Sequence, residues 1–451
     1  MFTDKIDNKF EINQAKKAIE IALKNGVSAA RVTLNIGIQN SFSVLDGNLE
    51  NLQNANDRSL YIQIITNSKY GAYSTNQLDT NNLEKFLKTA IQATNFLAPD
   101  KYRSLPPKEI CFFGKELDLE QYDKTILELS PEAKKEIPFI VMEELYKKDK
   151  KLISATTEYG DMLDYQYILD SQGFEGDNLQ SNFTISAECT VKGKKGSKSE
   201  GWWYESSMHY ADFKYKGCGT TALQRALEKI NPQNIKSGSF NMVVENTCAS
   251  RLVSPIFSAL NGSNIQQKNS FLLNKLGEKV FTDKLTIKDN PHLKRMSGSR
   301  LFDGEGIATK EMDIISKGRI NTYYINTYFS NKMGVAPTIE SPSVPYFSRE
   351  MMGKGIQDLS GREMMKIMGK GIFVTGFNGG NCNGLSGDFS YGIEGFYFEN
   401  GEILFPINEM NISGNIISLW SNLALIGNDA RNCTRWQIPS LAFENVNFTG
   451  L

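Results

Sequence analysis

Histidine is almost missing from this chain: His209 and His292 are the only two in 451 residues. Neither is followed by glutamate, and no second imidazole lies four or five positions away. A helical zinc site built from paired histidines is therefore excluded for this chain alone. Long apolar runs are lacking too, and nothing approaches the roughly 18 residues that a membrane span requires. The opening MFTDKIDNKFEINQ has no apolar stretch of the kind a secretory leader carries, so the expected location is the cytoplasm. No excess of positive charge exists: 50 Lys and Arg stand against 51 Asp and Glu, a net charge of −1. Direct nucleic-acid binding, which demands a basic stripe, has no electrostatic ground here. The six cysteines (Cys111, Cys189, Cys218, Cys248, Cys382, Cys433) are scattered without a close pair. That spacing suggests neither a Cys-x-x-Cys metal knuckle nor a disulfide framework, and mostly buried free thiols are expected.

What is present is ordinary globular material, 40% hydrophobic and 22% charged. The length calls for two or three domains. The expected fold class is α+β, with helices on mixed or antiparallel sheets in the N-terminal half and a strand-rich C-terminal domain. The first unit, residues 1–105, opens with an amphipathic helix that places Ile12, Ala15, Ile19, Ala22 and Leu23 on one face, stopped by Asn25-Gly26. Val32, Leu34, Ile36 and Ile38 then alternate as a half-buried strand. Strands follow around SFSVLDG, SLYIQIITN and YGAYST, with a second helix near Asn82 to Phe96. The segment LAPDKYRSLPPKE reads as the linker that closes the unit. The second unit, 106–232, holds a helix ending in YKKDKK, three long strands and the helix TTALQRALEKI. The third, 233–451, begins with FNMVVE and a helix over about 247–260, then continues strand-rich with regular Gly, Asn and Pro punctuation.

Candidate chemistry is sparse. The basic run KGKKGSKS (192–199) lies between two strand patterns and reads as a solvated hairpin tip. His209, in the aromatic strand pattern SSMHYADF, reads as a satisfied sheet residue, and His292 as an exposed loop residue. No Gly-x-Ser-x-Gly elbow and no Walker loop occurs; the Gly-Lys pairs of MMGKGIQD and IMGKGIFV lack the upstream glycine and the following Ser or Thr. Asp303 and Glu305 in LFDGEG read as a turn rather than a metal site. The stretch 378–390, NGGNCNGLSGDFS, packs four glycines and four Asn or Asp into thirteen positions. It fits tight strand connections, because Gly and Asn tolerate positive φ. It also fits a place where an extended peptide pairs with a strand edge.

The run MGKGIFVTGFNGGNCNGLSGDFSYGIEGFYFENGEILFPINEMNISGN, residues 368–415, resembles the C-terminal signature of the PmbA/TldD family, specifically its TldE (PmbA) branch, with Ser386 in place of a threonine in the turn. The segments NSFLLNKLGEKVF (269–281) and RLFDGEGIATK (300–310) are similar to family segments too, as is the N-terminal pattern. The resemblance spans nearly the whole chain. It implies a contrast. TldD members carry His-Glu-x-x-x-His on the central helix and bind zinc there. TldE members lack those ligands and join TldD in a cytosolic peptidase acting on unfolded or modified peptides. Ser254, Pro255 and Ala259 stand where that motif would be, and none can ligate zinc. The resemblance therefore implies no catalytic residue, metal or cofactor in this chain, with zinc expected in a TldD-like partner. Asn381, Asn383, Gly387 and Asp388 are the candidate peptide- or partner-binding residues. A stand-alone peptide-binding or regulatory homodimer is the alternative, and family members have also been called modulators of DNA gyrase.

Overall fold

A computed structural model describes residues 8–114, 117–349 and 359–450, so MMGKGIQD (351–358) lies outside the described residues. The N-terminal half is one antiparallel sheet. Its strands are β1 (Ala29–Leu45), β2 (Asn48–Thr66), β3 (Lys69–Thr75), β4 (Leu152–Asp170), β5 (Glu175–Lys192) and β6 (Lys198–Ser207), in spatial order β3-β2-β1-β4-β5-β6. Asp46 and Gly47 both take positive φ (49° and 85°), the geometry of a two-residue hairpin turn that suits the twist of the strands it joins. SFSVL is thus the outer half of β1 rather than a strand of its own.

Helices α1 (Lys9–Lys24) and α2 (Thr80–Asn95) cover one face of this sheet at its β1–β3 end. Beyond the single turn α3 (Thr125–Glu128), α4 (Pro131–Glu143) and α5 (Cys218–Glu228) cover the β4–β6 end. Two of these helices begin at local caps: Asp79 accepts the Asn82 amide at 3.0 Å, and Ser130 accepts that of Ala133 at 3.2 Å. Val32, Leu34 and Ile36 meet Ala15, Ala18 and Leu87 in the resulting core. Leu23, expected on the buried face of α1, is instead 44% exposed, since it lies one position past Ala22 and rotates out of the stripe. Residues 1–105 and 106–232 contribute to this one sheet and one core, because β1 pairs with β4 from Arg31↔Asp170 to Leu45↔Thr156.

The opposite sheet face is amide- and hydroxyl-rich. Gln166 donates to Asn35 at 3.3 Å and Ser206 to Asn182 at 2.8 Å. The KGKKGSKS run does form the β5–β6 hairpin tip.

In the C-terminal half, β7 (Gly238–Val244) and helix α6 (Ser250–Ala259) come first. A small four-stranded sheet follows: β8 (Ile287–Asp289), β9 (Met312–Ser316), β10 (Arg319–Ile320) and β11 (Pro345–Phe347). The main sheet is completed by β12 (Lys370–Cys382), β13 (Asp388–Glu399), β14 (Glu402–Pro406), β15 (Met410–Asn415), β16 (Leu423–Ile426) and β17 (Leu441–Gly450). Its order, β12-β7-β17-β15-β13-β14, is closed by an additional β12–β13 pairing, so five strands form a barrel-like ring. The β7–β12 pair is parallel and the remaining pairs are antiparallel.

The halves are tied together by the bidentate Arg225–Glu245 pair (2.9 and 2.7 Å) and by Arg431, which bonds Glu205 at 3.0 Å and lies 4.1 Å from the Trp203 ring centroid. His209 sits just past β6 rather than within a strand, and its Nε2 lies 2.7 Å from the Glu120 carbonyl. His209→Ala is expected to lower the unfolding free energy by about 1–3 kcal/mol in urea melts and to leave the activity of an assembled complex intact. His292 is half-buried rather than exposed, because its ring reaches the Thr309 hydroxyl at 3.2 Å; burial lowers its pKa.

Asp303 closes a turn. Its Oδ1 accepts the amides of Glu305 and Ile307 and its Oδ2 that of Glu340. Burial, then the nearby Glu340 and Glu305, push its pKa up to about 6. A carboxyl raised in this way favours folding below its unfolded pKa near 3.8, and that advantage is lost as pH rises through about 6. The stability of the wild type relative to Asp303→Asn should therefore fall by about 2–3 kcal/mol between pH 3.5 and pH 7, read from urea unfolding at both values.

Candidate functional site

Helix α6 reads SRLVSPIFSA. Leu252, Val253, Ile256, Phe257 and Ala259 are buried, which leaves Arg251, Ser254 and Ser258 exposed at spacings of three and four. Pro255 lies half-buried between them and has no amide, so the Arg251 carbonyl four residues earlier gains no helical donor from this position. Ala259 is turned about 140° around the helix from Ser254 and packs into the core. Of the three motif positions, Ser254 and Pro255 face outward and Ala259 does not.

Opposite this stripe stands the hairpin of β12 and β13. Its register shifts between Asn378 and Asn381, where Gly379 and Gly380 take φ of 64° and 73°. A Cβ on Gly380 would stand 2.0 Å from the Ser390 carbonyl oxygen, so only glycine fits there. Arg251 binds this bulge: its Nη2 donates to the carbonyls of Gly379 (3.1 Å) and Gly380 (2.7 Å), and its guanidinium lies 4.7 Å from the Tyr391 ring centroid. The Asn383 Oδ1 accepts the amides of Leu385 and Ser386 inside the turn. Asp388 accepts from Asn415 and Ser386, bonds that hold its pKa below the usual carboxylate value. Gly387 is buried at φ 78°, with the Phe271 ring 3.2 Å from where a Cβ would be. Asn381 lines the space between hairpin and helix.

That space is a groove of two depressions sharing Arg251 and Ser254. One, of about 570 Å³, lies beside Cys248, Phe377 and Trp436; the other, of about 230 Å³, beside Pro255, Phe271 and Cys382. Arg251 is the single charged side chain among the lining residues. Burial raises the pKa of both thiols; Glu245 adds to the rise at Cys248, and Asp388 at Cys382. Protonated thiols, serines, a proline and a guanidinium do not fit a zinc ion, for which thiolate, imidazole or carboxylate donors are needed. Among the described residues no group of three or more His, Cys, Asp or Glu could hold a metal. What the groove offers is backbone and small polar groups beside the rings of Phe271, Phe377, Tyr391 and Trp436, a surface suited to an extended chain.

Sequence reasoning missed Arg251, Ser258 and Tyr391. The polar i, i+3, i+7 stripe on an otherwise apolar helix could have found the first two.

Fold and groove together define a two-lobed α+β protein with a peptide-sized groove and no metal-binding donor set in it. Three consecutive segments match the PmbA/TldA metallopeptidase family: domain 1 over residues 30–94, the central domain over 124–230 and the C-terminal domain over 237–450. The chain belongs to the PmbA/TldD family. It is 27% identical to the metalloprotease PmbA homolog of Buchnera aphidicola subsp. Acyrthosiphon pisum, covering 97% of each chain. A crystal structure from Bacteroides thetaiotaomicron, described as a modulator of DNA gyrase, matches all of both chains at TM-score 0.94 and 44% identity. TldE from Thermococcus kodakarensis shares the fold at TM-score 0.84 and 16% identity, covering 97% of this chain and 100% of that one.

Proposed function

We propose that this chain is the non-metal subunit of a TldD/TldE-type cytoplasmic peptidase, forming one wall of a chamber whose zinc a TldD-like partner supplies. The observation that carries the reading is the stripe Arg251, Ser254, Pro255, Ser258. It faces a groove of peptide dimensions, on a family architecture, with side chains that hold no metal. Relatives spanning nearly the whole chain are named metalloproteases. Unfolded or modified peptides are the fitting substrate class, since a groove of backbone and small polar groups recognises extended main chain with little demand on sequence. Among the described residues no helix is long and apolar enough to cross a membrane.

A permanent pairing of this kind would bury about 2,000 Å² or more in total. Purified alone, the chain should carry no stoichiometric zinc and hydrolyse no peptide. Co-expressed with a relative bearing His-Glu-x-x-x-His, it should co-elute with that partner on size exclusion at about micromolar concentration. About one tightly held zinc per isolated chain would refute the reading. Separate elution of the two chains would transfer support to a peptide-binding homodimer.

A further inference from the structure

A second cavity lies between the amide-rich face of the N-terminal sheet and the loops of the C-terminal half. It measures about 340 Å³, and an adjoining space of about 300 Å³ shares Gln166, Gly304 and Glu340 with it. Both volumes sit at the lower end of the roughly 300–1,000 Å³ typical of small-molecule sites. One side carries cations: Arg31 from β1 and Arg103 from the segment after α2. The other carries anions, Glu305 and Glu340, with the Arg300 guanidinium 3.8 Å from Glu340 Oε1.

Arg31 is only 3% exposed. Its Nη2 reaches Asp170 Oδ2 at 3.3 Å, yet its Nε is buried without a hydrogen-bond partner among the described residues. A carboxylate entering the cavity would meet the Arg31 guanidinium beside that of Arg103. Arg103 is held in place by its aromatic neighbours, with its guanidinium carbon 3.7 Å from the Tyr328 ring centroid and 4.4 Å from that of Tyr70. On the facing side, Glu305 Oε2 accepts from the Thr327 amide (2.7 Å) and hydroxyl (2.8 Å), and Glu340 Oε1 from the Gly304 amide (3.0 Å). Each carboxylate offers about four lone-pair sites, so acceptor capacity remains. A simple anion would meet Glu305 and Glu340, a simple cation would meet both arginines, and an apolar ligand would leave every group unmatched.

We propose that this cavity binds a zwitterion of the amino-acid type, a free α-amino acid or short unblocked peptide. Its carboxylate lies toward Arg31 and Arg103 and its ammonium toward Glu305 and Glu340. The side-chain amides of Asn35 and Gln166 supply further donors and acceptors on the sheet side. Because the lining comes from both halves of the chain, the ligand would bridge them. The site is separate from the α6 groove and requires no partner subunit.

The test is calorimetric titration of the full-length chain alone with alanine, dialanine and trialanine, alongside N-acetyl-dialanine and dialanine amide. Saturable binding of at least one unblocked compound is expected, with each blocked form weaker by about tenfold or more. Glu340→Gln keeps an oxygen for the Gly304 amide and should fold normally. It should weaken the unblocked compound by about tenfold and leave the acetylated one unchanged. No saturation by any unblocked compound up to about 10 mM would overturn the proposal. Equal binding of blocked and unblocked forms, or a Glu340→Gln variant with unaltered affinity, would overturn it equally.

Discussion

Ser254→Trp, introduced into an assembled two-subunit complex, is expected to reduce peptide turnover by about 100-fold or more while moving the melting temperature by no more than about 2 °C. Ser254 is exposed on α6 and borders both depressions of the groove, so an indole there fills the space an extended peptide would cross. Solvent-facing substitutions away from caps and cores ordinarily change stability by within about 0.5 kcal/mol, so the loss would report on access. Gly387→Trp behaves differently. At φ 78°, with the Phe271 ring 3.2 Å from the added Cβ, it combines left-handed strain with overpacking and should cost about 2–5 kcal/mol. Turnover and thermal unfolding measured on the same preparations separate the two cases. A Ser254→Trp complex that retains full turnover would remove this groove from the peptide's path.

Asp289→Ala should destabilise the C-terminal half by about 3–5 kcal/mol in denaturant unfolding. Asp289 is fully buried on β8. Its carboxylate accepts the Ser343 amide at 2.9 Å, the Val344 amide at 2.7 Å and the Tyr324 hydroxyl at 3.3 Å. Burial raises its pKa and the amide bonds oppose that rise. Truncation would leave two amides and a phenol inside the protein with no acceptor, each costing about 1–3 kcal/mol. Asp289→Asn keeps one oxygen and should lose less. Equal stability of the alanine variant and the wild type would mean that the loop at Ser343 relaxes to water.

The parts of the fold that were legible in the sequence are those whose burial is one-sided and local. Helices α1 and α2 show their apolar stripe at helical period, and Val32 to Ile36 alternates because one face of β1 meets those helices. The full extent of β1 and β2 was not legible. Their outer residues, such as Gln39 to Ser41 and Asn51 to Asn54, are polar or exposed on both faces, so the alternation fades while backbone pairing continues. The pairing of β1 with β4 joins residues about 120 positions apart, a contact that no local pattern encodes. The same holds for the groove. The glycine-rich hairpin and the metal-motif positions of α6 were each readable, but their meeting through Arg251 and the carbonyls of Gly379 and Gly380 is a tertiary fact. Asn383 and Asp388 were singled out for their hydrogen-bonding groups, and the structure shows those groups bound within the turn. Arg31 gave no signal, since a lone arginine in a strand reads as solvent-facing until the other half of the chain covers it.

The place of β17 in the C-terminal ring sets the order in which a growing chain can mature. β17 lies between β7 and β15 and also pairs with β16, so β7, made some two hundred residues earlier, lacks a neighbour until residues 441–450 have left the ribosome. The six-stranded sheet and the helix α5 that covers its β4–β6 end are complete by Glu228, so this lobe can assemble while the rest is being translated. Nascent chains interrupted before residue 441 would therefore display a finished N-terminal lobe followed by an unpaired β7 edge, which makes them natural clients for chaperones and proteases.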